Sequence, residues 1–166
     1  MGAKTAISVE QYLHTTFPDV DREYRDGEIL NRTMPDYLHA KTQLILGAFF
    51  LALKNALRLY PCSELRLRLS ANTFLIPDIC VFHPEEPALA VPDQPPLIVI
   101  ETLSPDDRMS EVRAKLGEFK AWGVPHVWLV DPHGQLMYTC DQGLAEVPRD
   151  RKSTRLNSSH VALSRM

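Results

Sequence analysis

An α/β domain with a mixed β-sheet flanked by helices is predicted by three observations. The chain has 166 residues, 45% of them hydrophobic, enough to bury one core. Two continuously apolar stretches, Leu97-Ile98-Val99-Ile100 and Val127-Trp128-Leu129-Val130, read as strands buried on both faces. After one long helix the order is strand, strand, strand, helix, strand, strand, which favours a mixed sheet over segregated layers.

Val9 to Phe17 is a short helical candidate. Asp19 to Asn31 reads as a hairpin with Asp26-Gly27 as its turn. Asp36 is placed to cap a long helix from about Tyr37 to Arg58. Its stripe is Leu38, Thr42, Ile45, Phe49 and Leu53, widened by Leu46, Phe50 and Leu57. Leu65, Leu67 and Leu69 alternate with Arg66 and Arg68, a strand with one apolar and one charged face. Ser70-Ala71-Asn72-Thr73 turns the chain into a partner strand, Phe74 to Phe82. Pro77 cannot donate to a ladder, so it marks an edge or bulge just before Asp78. Pro84 to Pro96 is a proline-rich acidic loop that could border a cleft. Leu97 to Glu101 is the central strand. Ser104-Pro105-Asp106-Asp107 caps a helix from about Arg108 to Trp122, ended by Gly123. Val127 to Val130 and Leu136 to Cys140 are the last strands, joined by the turn Asp131-Pro132-His133-Gly134. There are no internal repeats.

No apolar run approaches the roughly 18–20 residues of a membrane span, and the N-terminus lacks the pattern of a signal peptide. Cys62, Cys80 and Cys140 are scattered and odd in number, which fits neither a disulfide framework nor a zinc site. A cytoplasmic location without membrane partners is the resulting expectation. Asp150 to His160 has no apolar periodicity and resembles, codon for codon, a translated sequencing-library adapter. Residues 1–149 are therefore expected to be the domain, cut short at its C-terminus, and 150–166 a non-native tail. The alternative for the tail is a genuine basic segment for nucleic acid. It contributes +3 to an overall charge of −3, so residues 1–149 carry −6. Such a balance argues against general DNA coating, which needs many phosphate contacts, but leaves room for a local basic cleft.

Three charged residues interrupt apolar elements. Asp78 follows a proline within Leu75-Ile76-Pro77-Asp78-Ile79-Cys80-Val81-Phe82. It reads either as a metal ligand aimed by the strand break or as an edge acid facing solvent. Glu101 closes an aliphatic strand, at the end of α/β strands where chemistry usually sits, or is simply the first solvated residue. Lys115 lies among Val112, Leu116, Phe119 and Trp122 at helical spacing, facing the core or snorkelling from its margin. Buried charges are costly unless they pair or bind metal. Two acids and a lysine are the parts of a metal-dependent phosphodiester-cleaving site, because hard divalent ions take one or two carboxylates. Glu28 and His39 are weaker candidates, each also readable as a plain charge or a groove residue. Arg66 and Arg68 would meet phosphates or form a solvated ion-paired face.

Four stretches in order resemble one family: Tyr24-Arg25-Asp26-Gly27-Glu28-Ile29-Leu30; Met34-Pro35 with His39; Ile76-Pro77-Asp78-Ile79; and Val99-Ile100-Glu101-Thr102-Leu103-Ser104-Pro105, followed by Lys115 and Gly123 to Pro132. Over about Val9 to Cys140 the chain is similar to the Uma2-type restriction-endonuclease-like proteins, formerly a domain of unknown function, within the PD-(D/E)XK nuclease superfamily. The broad superfamily places lysine two residues after the glutamate, where this chain has Leu103. In the Uma2-like group the lysine stands on the following helix, at Lys115 here. The resemblance implies a restriction-endonuclease-like core, with Asp78 and Glu101 as ligands of Mg²⁺ (or Mn²⁺). It also implies the Thr102 carbonyl as a backbone ligand, Glu28 as an accessory acid and Lys115 as the catalytic lysine. The function expected is endonucleolytic hydrolysis of DNA, with pairing of two copies a way to cut both strands. The other class is a nuclease-fold domain that binds nucleic acid or protein without turnover. A shortened chain unable to fold stably is the third reading.

Overall fold

The strands divide into two sheets, and the chain crosses from one to the other at Ile76-Pro77-Asp78. The computed structural model describes residues 7–18, 21–141 and 143–148. The expected tail therefore lies outside the described residues. The first helix, α1 (Val9–Leu13), carries a reciprocal cap: Ser8 Oγ accepts from the Gln11 amide and the Gln11 side chain accepts from the Ser8 amide. It stops short of Phe17, which precedes Pro18 and is disfavoured in helix for that reason. Strands β1 (Glu23–Arg25) and β2 (Glu28–Leu30) form the expected hairpin. Asp26 and Gly27 both take positive φ, 49° and 91°, which such a two-residue turn requires.

The long helix is α2 (Tyr37–Ala52), capped by the Asp36 carboxylate, which accepts from the His39 amide at 2.8 Å. It breaks at Leu53 and resumes as a single turn, α3 (Lys54–Leu57), that Arg58 ends in the left-handed region. Next comes an unexpected strand, β3 (Tyr60–Ser63). Pro61 hides it from sequence reading, yet β3 is an edge strand, where a missing amide is tolerated. Then follow β4 (Leu67–Ser70) and β5 (Thr73–Leu75), an antiparallel pair with a register shift between Arg68 and Ser70. With β1 and β2 they complete a four-stranded sheet in the order β2-β1-β5-β4.

The expected strand Phe74 to Phe82 is thus two strands in different sheets. After the break, β6 (Ile79–Phe82) pairs with β3 on one side and with β7 (Ile98–Thr102) on the other. Strand β7 is parallel to β8 (His126–Asp131), and α4 (Met109–Trp122) makes the crossover between them. Gly123 closes α4 with φ 108°. Arg108 occupies the N-cap without a capping side-chain bond, and Asp107 of the expected capping stretch instead accepts from the Ser104 amide. Strands β9 (Leu136–Cys140) and β10 (Leu144–Glu146) finish the six-stranded sheet, order β10-β9-β8-β7-β6-β3.

Side chains alternate across this sheet. Ile79, Val81, Ile98 and Ile100 pack with Phe50 and Leu46 of α2. Cys80, Phe82, Val99, Val127 and Leu129 pack with Leu116 and Phe119 of α4, and this core reaches Leu67 and Leu75 of the smaller sheet. Alternation from Val99 puts Glu101 on the α4 side, toward the helix that carries Lys115. On α2 the expected stripe is half wrong. His39 and Phe50 are buried, whereas Ile45 is 56% and Phe49 40% exposed.

Candidate active site

The strand break sets Asp78 at the junction of the two sheets, 3% exposed. Its Oδ2 accepts the Thr102 amide at 2.6 Å and lies 3.3 Å from His39 Nε2. Its Oδ1 accepts Arg32 Nη2 at 3.2 Å. Burial alone would raise this carboxyl, but His39, Lys115 and the Thr102 amide outweigh it and hold Asp78 below its ordinary value. His39 is raised in turn: burial lowers it, and the bond and charge of Asp78 prevail. The other ring nitrogen, Nδ1, is 2.8 Å from Ser104 Oγ.

Glu101 and Lys115 meet on the other flank of the same cavity. Lys115 Nζ lies 3.0 Å from Glu101 Oε2 and 2.9 Å from Oε1, but only Oε2 is aligned as a hydrogen-bond acceptor. The ammonium also lies 2.7 Å from Glu23 Oε1 and donates to the Ile76 carbonyl at 2.9 Å. Burial pushes the Glu101 carboxyl up to about 8, and the carboxylates of Asp78 and Glu23 add to the rise against Lys115. For Lys115, burial acts downward, and Glu101, Glu23 and Asp78 together outweigh it and hold the ammonium above its ordinary value.

Asp78, Glu101 and Lys115 thus line one cavity of about 570 Å³, with Glu23, Arg32 and His39 in the same wall. Thr102 is buried at the end of β7; its amide is committed to Asp78, and its Oγ1 has no hydrogen-bond partner among the described residues. His39 faces the site, not a solvent groove. Glu28 does not reach it: the residue is exposed on β2, outside the cavity wall. The acid that the hairpin does deliver is Glu23, which accepts from the Ile76 amide at 2.9 Å as well as pairing with Lys115. Arg66 and Arg68 are also elsewhere. The Arg66 guanidinium sits 4.6 Å over the Tyr12 ring and 3.4 Å from Asp21, and Arg68 lies over Phe74.

Arg32 carries no sequence signal, since it stands in the loop after β2. There it spans Asp78 and Glu64, with Nη1 2.5 Å from Glu64 Oε2. That bond holds Glu64 below its ordinary value although burial opposes it. Glu64 also accepts from Gln43, whose amide bonds the Asp78 carbonyl at 2.8 Å.

Among the described residues, no three His, Cys, Asp or Glu side chains stand together as a preformed metal cage. Two carboxylates with one unaligned buried oxygen do suit a hard divalent cation that keeps several of its waters.

The fold has a solved counterpart. The crystal structure of "a putative nuclease belonging to DUF820" from Anabaena variabilis ATCC 29413 superposes with a TM-score of 0.74 at 23% identity, covering 92% of this chain and 90% of that one. This likeness bears out the α/β restriction-endonuclease-like core. No curated protein matches the chain. The family model Uma2, described as "Putative restriction endonuclease", matches residues 9–161. On that match the chain belongs to the Uma2 family.

Proposed function

We propose that this protein is an endonuclease that hydrolyses DNA phosphodiester bonds with Mg²⁺, Mn²⁺ being a substitute. The observation that carries the reading is the convergence of Asp78, from the break just before β6, with Glu101 of β7 and Lys115 of α4 on one cavity. Asp78 and Glu101 would hold the ion, with the Thr102 carbonyl as a backbone ligand. When bound, such an ion polarises the phosphate and lowers the pKa of a coordinated water. The chain's own groups do the rest. Lys115 is held by the Ile76 carbonyl and Glu23, so its charge is fixed before substrate arrives. From there it neutralises charge developing on the phosphate oxygens and orients the attacking water. Arg32 and His39 hold the Asp78 carboxylate between them. Arg25, Arg32 and Arg108 line the cavity, so a phosphate backbone could be met there despite the acidic balance.

Two copies acting together would cut both strands, and a cytoplasmic location suits that substrate. One observation favours a second reading, a nuclease-fold domain that binds without turnover: Arg32 and Lys115 already occupy both acids. Replacing Asp78 by Asn separates the two. Loss of metal-stimulated cleavage in a cooperatively folded Asp78→Asn protein supports the enzyme. Metal-independent DNA binding with no cleavage by the unsubstituted chain supports the binding domain.

A further inference from the structure

Cys62 and Cys80 stand directly opposite each other in the β3–β6 ladder. Opposed residues of an antiparallel pair have Cα atoms about 4.5–5.5 Å apart with side chains on one face. A disulfide spans about 4.4–6.8 Å between Cα atoms, so the usual spacing of such a pair falls within its range. Each thiol lies close enough to the other to shift its ionisation, Cys62 downward and Cys80 upward. Cys80 is fully buried, whereas Cys62 is only partly buried on an edge strand and is the more exposed of the two. Cys140 belongs to β9, three strands from β6 in the sheet order, or roughly 14 Å at the usual strand spacing. It cannot compete for either partner within the folded chain.

We propose that Cys62 and Cys80 are a redox-active dithiol that closes to an intramolecular disulfide on exposure to a small-molecule disulfide such as oxidised glutathione. The Cys62 thiolate attacks one sulfur of the reagent, forming a mixed disulfide and releasing one reagent thiolate. The Cys80 sulfur then attacks Cys62, the 62–80 bond forms, and the second reagent thiolate leaves. The protein gives up two electrons to the reagent, and the two protons from its thiols end on the two reagent thiols. Contact with Cys80 brings the Cys62 thiol down to about 7, in keeping with the more accessible sulfur attacking first. The cross-link would sit where β3 and β6 run on toward the cavity: the Glu64 amide bonds the Asp78 carbonyl at 3.2 Å, and both carboxylates hold Arg32. This inference stands apart from the nuclease reading and holds or fails without it.

The test treats the folded full chain with oxidised glutathione, alkylates remaining thiols, and maps peptides by mass. The expected result is loss of two of the three free thiols, a dithiothreitol-reversible link joining the Cys62 and Cys80 peptides, and alkylated Cys140. Cys140→Ser should leave the link intact and Cys62→Ser should abolish it. Three alkylated thiols after treatment, or links that involve Cys140 or a second chain, would overturn the proposal. The peptide map of the unsubstituted protein decides the matter even where a cysteine variant folds poorly.

Discussion

Lys115 answers to three acceptors at once, Glu101, Glu23 and the Ile76 carbonyl, so its removal strands two buried acids. Replacing Lys115 by Met should cost about 3 kcal/mol in urea unfolding, as for other broken buried pairs, in addition to any loss of activity. Glu101 sets a pH dependence. Its folded carboxyl is raised to about 8 from an ordinary 4.5, so the neutral form is the one that folding favours. That share of stability is complete below about pH 4.5 and disappears as pH rises through about 8. The urea midpoint should therefore fall between about pH 5 and pH 8, and Glu101→Gln should flatten that slope. Asp78 works in the opposite sense, since its folded value is depressed and its share is lost only as pH falls below the ordinary carboxylate range. That Asp78, Glu101 and Lys115 would come together was legible because each interrupts an apolar pattern. Glu23 and Arg32 were not, because nothing local distinguishes them and only long-range packing brings them to Lys115 and Asp78.

At the scale of elements, the hairpin, α4 and the apolar strands β7 and β8 could be read directly, since turn chemistry and burial agree there. Strand β3 was missed behind Pro61, and β10 is a three-residue edge strand with two exposed positions. The long strand ending at Phe82 was wrong in a useful way: Pro77 was recognised as a break, and the break turned out to change sheets. Helix α2 defeated periodicity because it is apolar on nearly every side, so its spacing selects no face. Its buried face is identified by Phe50, 4% exposed, while Leu44 on the far side is 74% exposed. Phe50→Ala should therefore destabilise by about 3–5 kcal/mol, whereas Leu44→Ser should stay within about 0.5 kcal/mol. Equal losses from the two substitutions would show that α2 is rotated from this placement.

The whole molecule places a site between two sheets, and neither sheet makes it alone. The smaller sheet brings Glu23 and the larger brings Glu101, with Asp78 at the passage between them and Lys115 arriving on the crossover helix. Fold class was legible at this scale from element order, but the division into two sheets was not, since it depends on a single interrupted strand. On the proposed function, the acidic balance limits how DNA would be held. Four cations at the cavity, Arg25, Arg32, Arg108 and Lys115, should give a slope of log affinity against log salt no steeper than about −4. A much steeper slope would mean a binding surface beyond this cavity. The most direct test of the central claim is plasmid nicking in Mg²⁺, Mn²⁺ or excess chelator, comparing the unsubstituted protein with Lys115→Met after both are shown to unfold cooperatively. The account predicts cleavage that requires the metal and is lost in the variant. Metal-dependent cleavage that survives loss of Lys115, or none from the folded unsubstituted protein, would contradict it.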